Sequence, residues 1–326
     1  MLERLRGIEQ SRFWQARNAF FELKYRLGLS RDRAWAPFTL AEPHRTMLAT
    51  CDAYAQWTAA NAARPADIER LRAASRRLRA HAVVSVLIPV TAQTQAIGLA
   101  RALASVREQA YSQWEVVVAA APSEDVLVGT AMATVFAGIR SARIVRAVTT
   151  TDATVAERLA AACGAASGDF VAVLDPGDAF APDALYELAA VLNDDPAVDL
   201  AYGDEDLLAA GERSIMPFFK PHASPDTLRS RDVVGRGAIV RLRLVREIGG
   251  FRAEFGDAVE YDLMLRASER TQAIAHVERV LYHRDGVPTF GEAGARAVME
   301  SLVRTDEPGT VSQIEAPIPT YRVRYH

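Results

Sequence analysis

Two aspartates, Asp175 and Asp178, are the residues of this chain best placed to do chemistry. They follow the apolar run at residues 170–174, which predicts a buried strand that carries both carboxylates at its end. Carboxylate oxygens so placed suit a divalent cation, Mn²⁺ or Mg²⁺, that neutralises a departing diphosphate. Pro176 and Gly177 between them are also good turn residues, so a turn without chemistry is the alternative interpretation.

The surrounding sequence alternates apolar runs with amphipathic segments. Strands are predicted at residues 83–90, 114–119, 143–148 and 170–174, and helices at 97–109, at 154–166 and after Pro182. Helices of these lengths between strands imply parallel pairing with right-handed crossovers. The predicted fold class is therefore α/β, with a Rossmann-like, mostly parallel sheet flanked by helices.

The chain resembles the family 2 glycosyltransferases of the GT-A fold through motif segments that follow the family's order. These segments are residues 84–90, 105–115, 166–175, 201–206, 217–221, 245–251, 260–266 and 279–283. The resemblance implies transfer of a sugar from a nucleotide-sugar donor to a hydroxyl of a glycan or lipid-linked glycan, with inversion at the anomeric carbon. It also implies a role in cell-surface polysaccharide synthesis.

The same resemblance implies the general base, which must take the proton of a weakly nucleophilic acceptor hydroxyl. Glu260 falls where the family usually has an aspartate with this role, and Asp262, on another face of the predicted helix, is the second choice. The extra methylene of glutamate moves its oxygens by roughly an ångström, a displacement that can cost about a hundredfold in rate.

The resemblance further implies residues that hold the donor and its cation. The metal ligands implied are Asp175, Asp178 and His283. The donor-binding residues implied are Pro89, Thr91, Arg158, Asp175, Asp204, Asp206 and Lys220. An ordinary structural role is the alternative for each of them: a solvated strand end for the aspartates and a solvated side chain for Lys220.

Several donor-site residues of the family are missing. Paired aspartates after the second strand are replaced by Ala120 and Ala121, the second aspartate of the D-x-D motif by Gly177, and a helical asparagine by Ala160. Three hypotheses follow: an active transferase with a specialised donor pocket, a non-catalytic binding partner of another transferase, and a nucleotidyltransferase or phosphate-bond hydrolase. The third is disfavoured because no G-x-x-x-x-G-K phosphate loop occurs, so we favour the active transferase. Cation independence, with Arg158, Lys220 and His283 balancing the diphosphate, is the second version of its chemistry.

Composition narrows the class of protein without naming it. The 326 residues are 50% hydrophobic with a net charge of -3, so no basic excess indicates a nucleic-acid partner. Two distant cysteines, Cys51 and Cys163, lack metal-ligand spacing and are expected to be reduced, which favours the cytoplasm. No apolar run is long enough to span a bilayer, so any contact with the inner face of the membrane would be peripheral.

The domain organisation is predicted as a helical N-terminal extension at residues 1–80, a GT-A domain at 81–290, and a helix-and-strand tail at 291–326. Aromatic residues from Phe13 to Tyr25, with Leu27, recur at helical spacing among basic residues in the extension. Such a helix suits an anionic membrane surface or packing against the catalytic domain, a second subunit or a partner transferase.

Overall fold

The computed structural model describes residues 53–138, 143–209, 213–316 and 318–326. The chain divides into two compact units at Asn61 and Ala62, earlier in the sequence than the boundary predicted near His81. Within the first unit, the rings of Tyr54 and Trp57 stack with their centroids 5.7 Å apart. The predicted N-terminal helix with Phe13 lies outside the described residues. Among the described residues, no helix has the length and apolar character needed to cross a bilayer.

The second unit begins with a parallel α/β half. Its strands are β1 Val84–Pro89, β2 Trp114–Ala120, β3 Arg143–Val148 and β4 Phe170–Val173. Its helices are α1 Pro65–Ser75, α2 Ala96–Arg107, α3 Asp125–Val135 and α4 Val155–Ala165. Strand β1 pairs in parallel with β2 and β4, and β2 pairs in parallel with β3. All four strands therefore end at one edge of the sheet, where α/β folds place ligands.

The sheet continues into a mixed half. Its strands are β5 Ala179–Phe180, β6 Leu200–Ala209, β7 Arg213–Phe218, β8 Ala238–Arg241 and β9 Ile274–Arg284. Its helices are α5 Ala184–Asp194, α6 Pro225–Ser230, α7 Leu242–Glu247 and α8 Val259–Arg270. In the described residues the sheet order is β3-β2-β1-β4-β8-β6-β9-β5, with β7 beside β6. Strand β8 is antiparallel to β4 and β6, whereas β6 and β9 are parallel.

The tail forms helix α9, Gly291–Arg304, and a hairpin of strands β10 Gly309–Ile314 and β11 Thr320–Tyr325. Tyr321 of β11 is buried, and its ring stacks on that of Tyr261 of α8 at 6.0 Å. The tail therefore packs on the helix that carries Glu260.

Both faces of the sheet are covered, as the apolar runs predict. Val86 and Ile88 of β1 pack with α2, α3 and α5, whereas Leu87 between them packs with α4 and α8, because successive side chains of a strand point to opposite faces. Helix α4 begins with a capping box in which Thr154 and Glu157 bond each other's backbone N–H. The predicted α/β fold is confirmed.

Candidate active site

Three carboxylates converge on one guanidinium at the ends of β4 and β8. Arg236 Nη2 lies 2.5 Å from Asp175 Oδ2 and 2.9 Å from Glu260 Oε1. Its Nη1 donates to Asp178 Oδ2 at 2.9 Å, and its Nε donates to Glu260 Oε1 at 3.1 Å. We call these four residues the acidic centre. It unites three of the predicted site residues around an arginine that the sequence analysis missed.

The turn before β8 holds Arg236 in place. Gly235 and Gly237 on either side have φ angles of 53° and 75°, which residues other than glycine rarely adopt. A Cβ on Gly237 would lie 2.7 Å from Tyr282 Cβ. The carbonyl oxygen of Arg236 also accepts a hydrogen bond from Lys220 Nζ at 2.9 Å. A Gly-Arg-Gly sequence directly before a strand is the signal by which this residue could have been found.

Asp178 is buried, and its neighbours occupy both of its oxygens. Its Oδ1 accepts from the backbone N–H of Asp285 at 2.7 Å, and its Oδ2 accepts from the hydroxyl of Tyr282 at 2.8 Å as well as from Arg236. Burial raises the pKa of Tyr282 far above its usual value, so the hydroxyl stays protonated and remains a donor. Asp178 is thus a fixed carboxylate of the centre.

Asp175 differs from Asp178 because one of its oxygens has no partner. Its Oδ1 is buried and accepts no hydrogen bond from the described residues. Burial raises the pKa of Asp175 to about 6; Arg236 opposes this shift, and the charges of Glu260 and Asp178 add to it. A buried acceptor without a donor costs free energy until a ligand supplies one, so Oδ1 can bind a hydroxyl of a ligand.

The arrangement does not fit the predicted divalent cation. Arg236 takes the position that Asp175 and Asp178 share, and among the described residues no group of three or more His, Cys, Asp or Glu could hold a metal ion. Gly177 has a φ of 109°, and a Cβ there would lie 2.9 Å from Asp285 Oδ2. An aspartate at this position of the motif would therefore be strained, and we derive no step through a metal.

His283, predicted as a third metal ligand, pairs elsewhere. Its Nδ1 lies 2.6 Å from Asp206 Oδ1, across the β6–β9 ladder. Tyr282 points to the acidic centre, so the neighbouring His283 faces the opposite side of β9. Asp204 likewise pairs with His276, at 2.8 Å between Oδ1 and Nε2. Asp204 and Asp206, two of the three aspartates predicted to bind donor, thus each pair with a histidine between β6 and β9.

Lys220, another predicted donor contact, lies in a buried ion-pair network next to the acidic centre. Its Nζ is 3.0 Å from Glu205 Oε2 and donates to the carbonyl oxygen of Val234 at 2.7 Å. Arg284 Nη1 donates to Glu205 Oε1 at 3.1 Å. Burial would raise the pKa of Glu205, but the charges of Lys220 and Arg284 lower it below its usual value. The ammonium is therefore buried, not solvated.

The other predicted donor residues lie near the ends of β1 and β3. Internal hydrogen bonds fill this region, which we call the closed edge. Arg158 is 1% exposed and donates to the carbonyl oxygens of Val90, Thr150, Thr151 and Ala153 and to Glu124. Pro89 ends β1, and the backbone N–H of Thr91 donates to Thr94 Oγ1 at 2.9 Å. Arg158 therefore secures loops around the edge with its own hydrogen bonds.

Asp262, the second choice of base, lies on α8 and is fully buried. Arg252 donates to both of its oxygens, and Arg266 Nε and Nη2 donate to Oδ2 at 2.9 and 2.7 Å. Glu260, by contrast, uses only Oε1 for Arg236, and no hydrogen bond from the described residues reaches its Oε2. An acceptor hydroxyl can approach Glu260 more readily than Asp262.

A cavity of about 550 Å³ lies beside the acidic loop, between α2, α3, β5 and Leu208 of β6. None of the predicted site residues lines it.

Comparison with known sequences is decisive for the family. Residues 85–249 match the profile of glycosyl transferase family 2. The chain belongs to this family. It is 35% identical over 285 residues to the O-antigen biosynthesis protein RfbC of Myxococcus xanthus. This match covers 83% of this chain but 22% of RfbC. It is also 32% identical to the uncharacterised protein y4gI of Sinorhizobium fredii (strain NBRC 101917 / NGR234), over 78% of this chain and 29% of y4gI. This family 2 chain thus spans under a third of either relative.

Solved structures support the GT-A fold of this family 2 glycosyltransferase. S. aureus TarS 1-349 in complex with UDP-GlcNAc superposes with a TM-score of 0.52 at 15% identity, over 68% of this chain and 66% of TarS 1-349. The mannosyltransferase PcManGT from Pyrobaculum calidifontis, in complex with GDP-Man and Mn²⁺, gives a TM-score of 0.50 at 16% identity, over 80% and 75%. These likenesses establish the fold and leave donor and acceptor open.

Proposed function

We propose that this chain transfers a sugar from a nucleotide-sugar donor to a hydroxyl of a glycan or lipid-linked glycan during polysaccharide synthesis. Family membership and the similarity to a protein of O-antigen biosynthesis support the reaction class. The solved relatives that hold UDP-GlcNAc and GDP-Man support a nucleotide-sugar donor. The single observation that carries the proposal is the acidic centre, where Glu260 has one carboxylate oxygen fixed and the other open.

The proposed step is direct displacement with inversion. Glu260 Oε2 takes the proton of the acceptor hydroxyl while that oxygen bonds to the anomeric carbon. The bond from the anomeric carbon to the diphosphate oxygen breaks, and the nucleoside diphosphate leaves with its electron pair. Arg236 orients Glu260 through two hydrogen bonds, and Asp175 Oδ1 accepts a hydrogen bond from a hydroxyl group of the donor.

The test is turnover of the purified chain with a panel of uridine, guanosine, cytidine and thymidine diphosphate sugars and glycan acceptors. We expect one donor to release its nucleoside diphosphate with formation of a glycosylated product. Glu260→Gln should lower kcat by about a hundredfold or more while the Kd for donor stays within about twofold. Glu292→Gln, an exposed site on α9, is the matched control and should keep its rate. Unchanged turnover in Glu260→Gln would remove Glu260 as the base.

A second candidate is a non-catalytic subunit that binds a glycan or a partner transferase. It is favoured by one observation: Arg158 and Lys220, two predicted donor contacts, are fully used by internal hydrogen bonds and ion pairs. Absence of donor turnover and of nucleotide binding across the panel would support this alternative. The same result would contradict the transferase.

Cellular placement is part of the proposal. We place the chain in the cytoplasm at the inner face of the membrane, where nucleotide sugars and lipid-linked glycans meet. The predicted basic, aromatic helix at the N-terminus is the contact with anionic lipid or with a partner transferase. Flotation with anionic liposomes, before and after deletion of residues 1–33, distinguishes the two partners. Flotation that is lost on deletion supports the lipid contact, whereas a full chain that does not float supports the contact with a partner transferase.

A further inference from the structure

We propose that Arg236 is a built-in cation of the acidic centre, which takes the place of a divalent metal with a single positive charge, so that the transferase works without a metal. This inference rests on the proposed function and concerns the cation of its acidic centre. It differs from the metal site that the sequence implies, because its charge belongs to the chain itself.

Contact geometry is the first support. The guanidinium makes four contacts of 2.5–3.1 Å to Asp175, Asp178 and Glu260. A metal ion bound there would have to displace the guanidinium and leave it without carboxylate partners in a site where only 18% of its side chain is exposed. Loss of the partners of a buried charge is costly, so the arginine competes effectively with an ion.

The carboxylates themselves are the second support. Both oxygens of Asp178 already accept hydrogen bonds, from Asp285 and Tyr282 as well as from Arg236. Asp175 therefore contributes the one unpartnered buried carboxylate oxygen that we find in the described part of the centre. With the open Oε2 of Glu260, two carboxylate oxygens of the centre are left for an ion, and water or phosphate would have to supply the rest of its six ligands.

Arg284 adds a second positive charge behind the centre. Its side chain is 8% exposed, Nη1 pairs with Glu205, and Nε is buried without a hydrogen-bond partner among the described residues. The charges of Arg236 and Asp178 both act on it across the site. Two fixed guanidinium groups thus offset part of the negative charge that the carboxylates of the centre and Glu205 bring to the site.

The loop that follows β4 is the third support. The left-handed backbone at Gly177 and the nearby Asp285 carboxylate disfavour a side chain at the second position of the D-x-D motif. Arg101 Nη1 donates to the carbonyl oxygen of Gly177 at 3.0 Å and keeps this loop in place. The chain therefore has a guanidinium where the metal would lie and lacks the motif's second carboxylate.

The test is direct titration of Mn²⁺, followed by electron paramagnetic resonance, against the wild-type chain and Arg236→Met, with no nucleotide present. We expect Arg236→Met to bind Mn²⁺ at least about a hundredfold more tightly than wild type, because three carboxylates then lack a counter-charge. Arg304→Met is the matched control, since Arg304 pairs with Glu269 and Glu300 on the surface. It should bind Mn²⁺ no better than wild type.

Tight Mn²⁺ binding by wild type would overturn the proposal, as would equal affinities of wild type and Arg236→Met. If Arg236→Met does not fold, Arg236→Gln replaces it with an uncharged, hydrogen-bonding side chain and should show the same gain. A rise in Tm with Mn²⁺ in the variant but not in wild type is the second readout. Because the titration needs no donor and no turnover, a failed transferase assay leaves this result independent.

Discussion

Two arginines, the buried Arg158 at the closed edge and the partly buried Arg236 at the acidic centre, have different kinds of partners. Arg158 binds mainly carbonyl oxygens of its own loops and forms an ion pair of 3.3 Å with Glu124. Arg236 binds three carboxylates that come from separate parts of the chain. The first arrangement is neutral and already complete, which suits a structural role. The second retains excess negative charge and an open oxygen, which suits a reaction.

The largest effect on stability is expected at the closed edge. Arg158→Met should lower the free energy of unfolding by about 3–5 kcal/mol, because Glu124 and several carbonyl oxygens would stay buried without their donor. Urea denaturation followed by circular dichroism measures this loss. Arg243→Met, which removes an arginine that is 73% exposed beside the exposed Glu247, is the control and should cost less than about 1 kcal/mol. Equal losses would contradict the structural role of Arg158.

A second comparison separates the two acids of α8. Asp262→Asn should lower the free energy of unfolding by about 2–4 kcal/mol, because the charges of Arg252 and Arg266 would lose their shared carboxylate. Glu260→Gln should cost less than about 1 kcal/mol, since Arg236 retains Asp175 and Asp178. Paired denaturation curves decide, and a larger loss for Glu260→Gln would reverse the two roles.

The smallest expected effect is a pH-dependent gain next to the acidic centre. Burial raises the pKa of Asp232 to about 6, so its ionised form is unfavourable in the folded state. That cost is absent below the pKa of the unfolded chain and grows as the pH rises towards 6. Asp232→Asn should therefore be more stable than wild type by about 1–2 kcal/mol at pH 7 and equal to it near pH 4. The same difference at both pH values would contradict this shift.

The parallel half of the fold was predictable because its strands are continuous apolar runs. The residues predicted for β2 and β3 agree with the structure to within one residue. The short strand β8 was not predicted, because four residues after a Gly-Arg-Gly turn give no usable periodicity. Its antiparallel insertion between β4 and β6 brings Arg236 to the acidic centre.

Some predicted site residues are close in sequence and therefore close in space, whereas the neighbours of the others depend on tertiary packing. Asp175 and Asp178 share one loop, so the sequence analysis placed them together. Glu260 joins them through tertiary packing, whereas His283 pairs with Asp206 because side chains alternate along β9. Motif matching could name these residues, but it could not show which oxygens their neighbours had already occupied. The functional roles of the individual residues remain predictions.

The most direct test of a metal-free acidic centre is calorimetric titration of wild type with uridine, guanosine, cytidine and thymidine diphosphates in EDTA, then again with Mn²⁺. We predict that one nucleotide binds in EDTA, that Mn²⁺ changes its Kd by less than about threefold, and that Arg236→Met weakens binding in EDTA by about tenfold or more. Binding that appears only with Mn²⁺ would contradict the account.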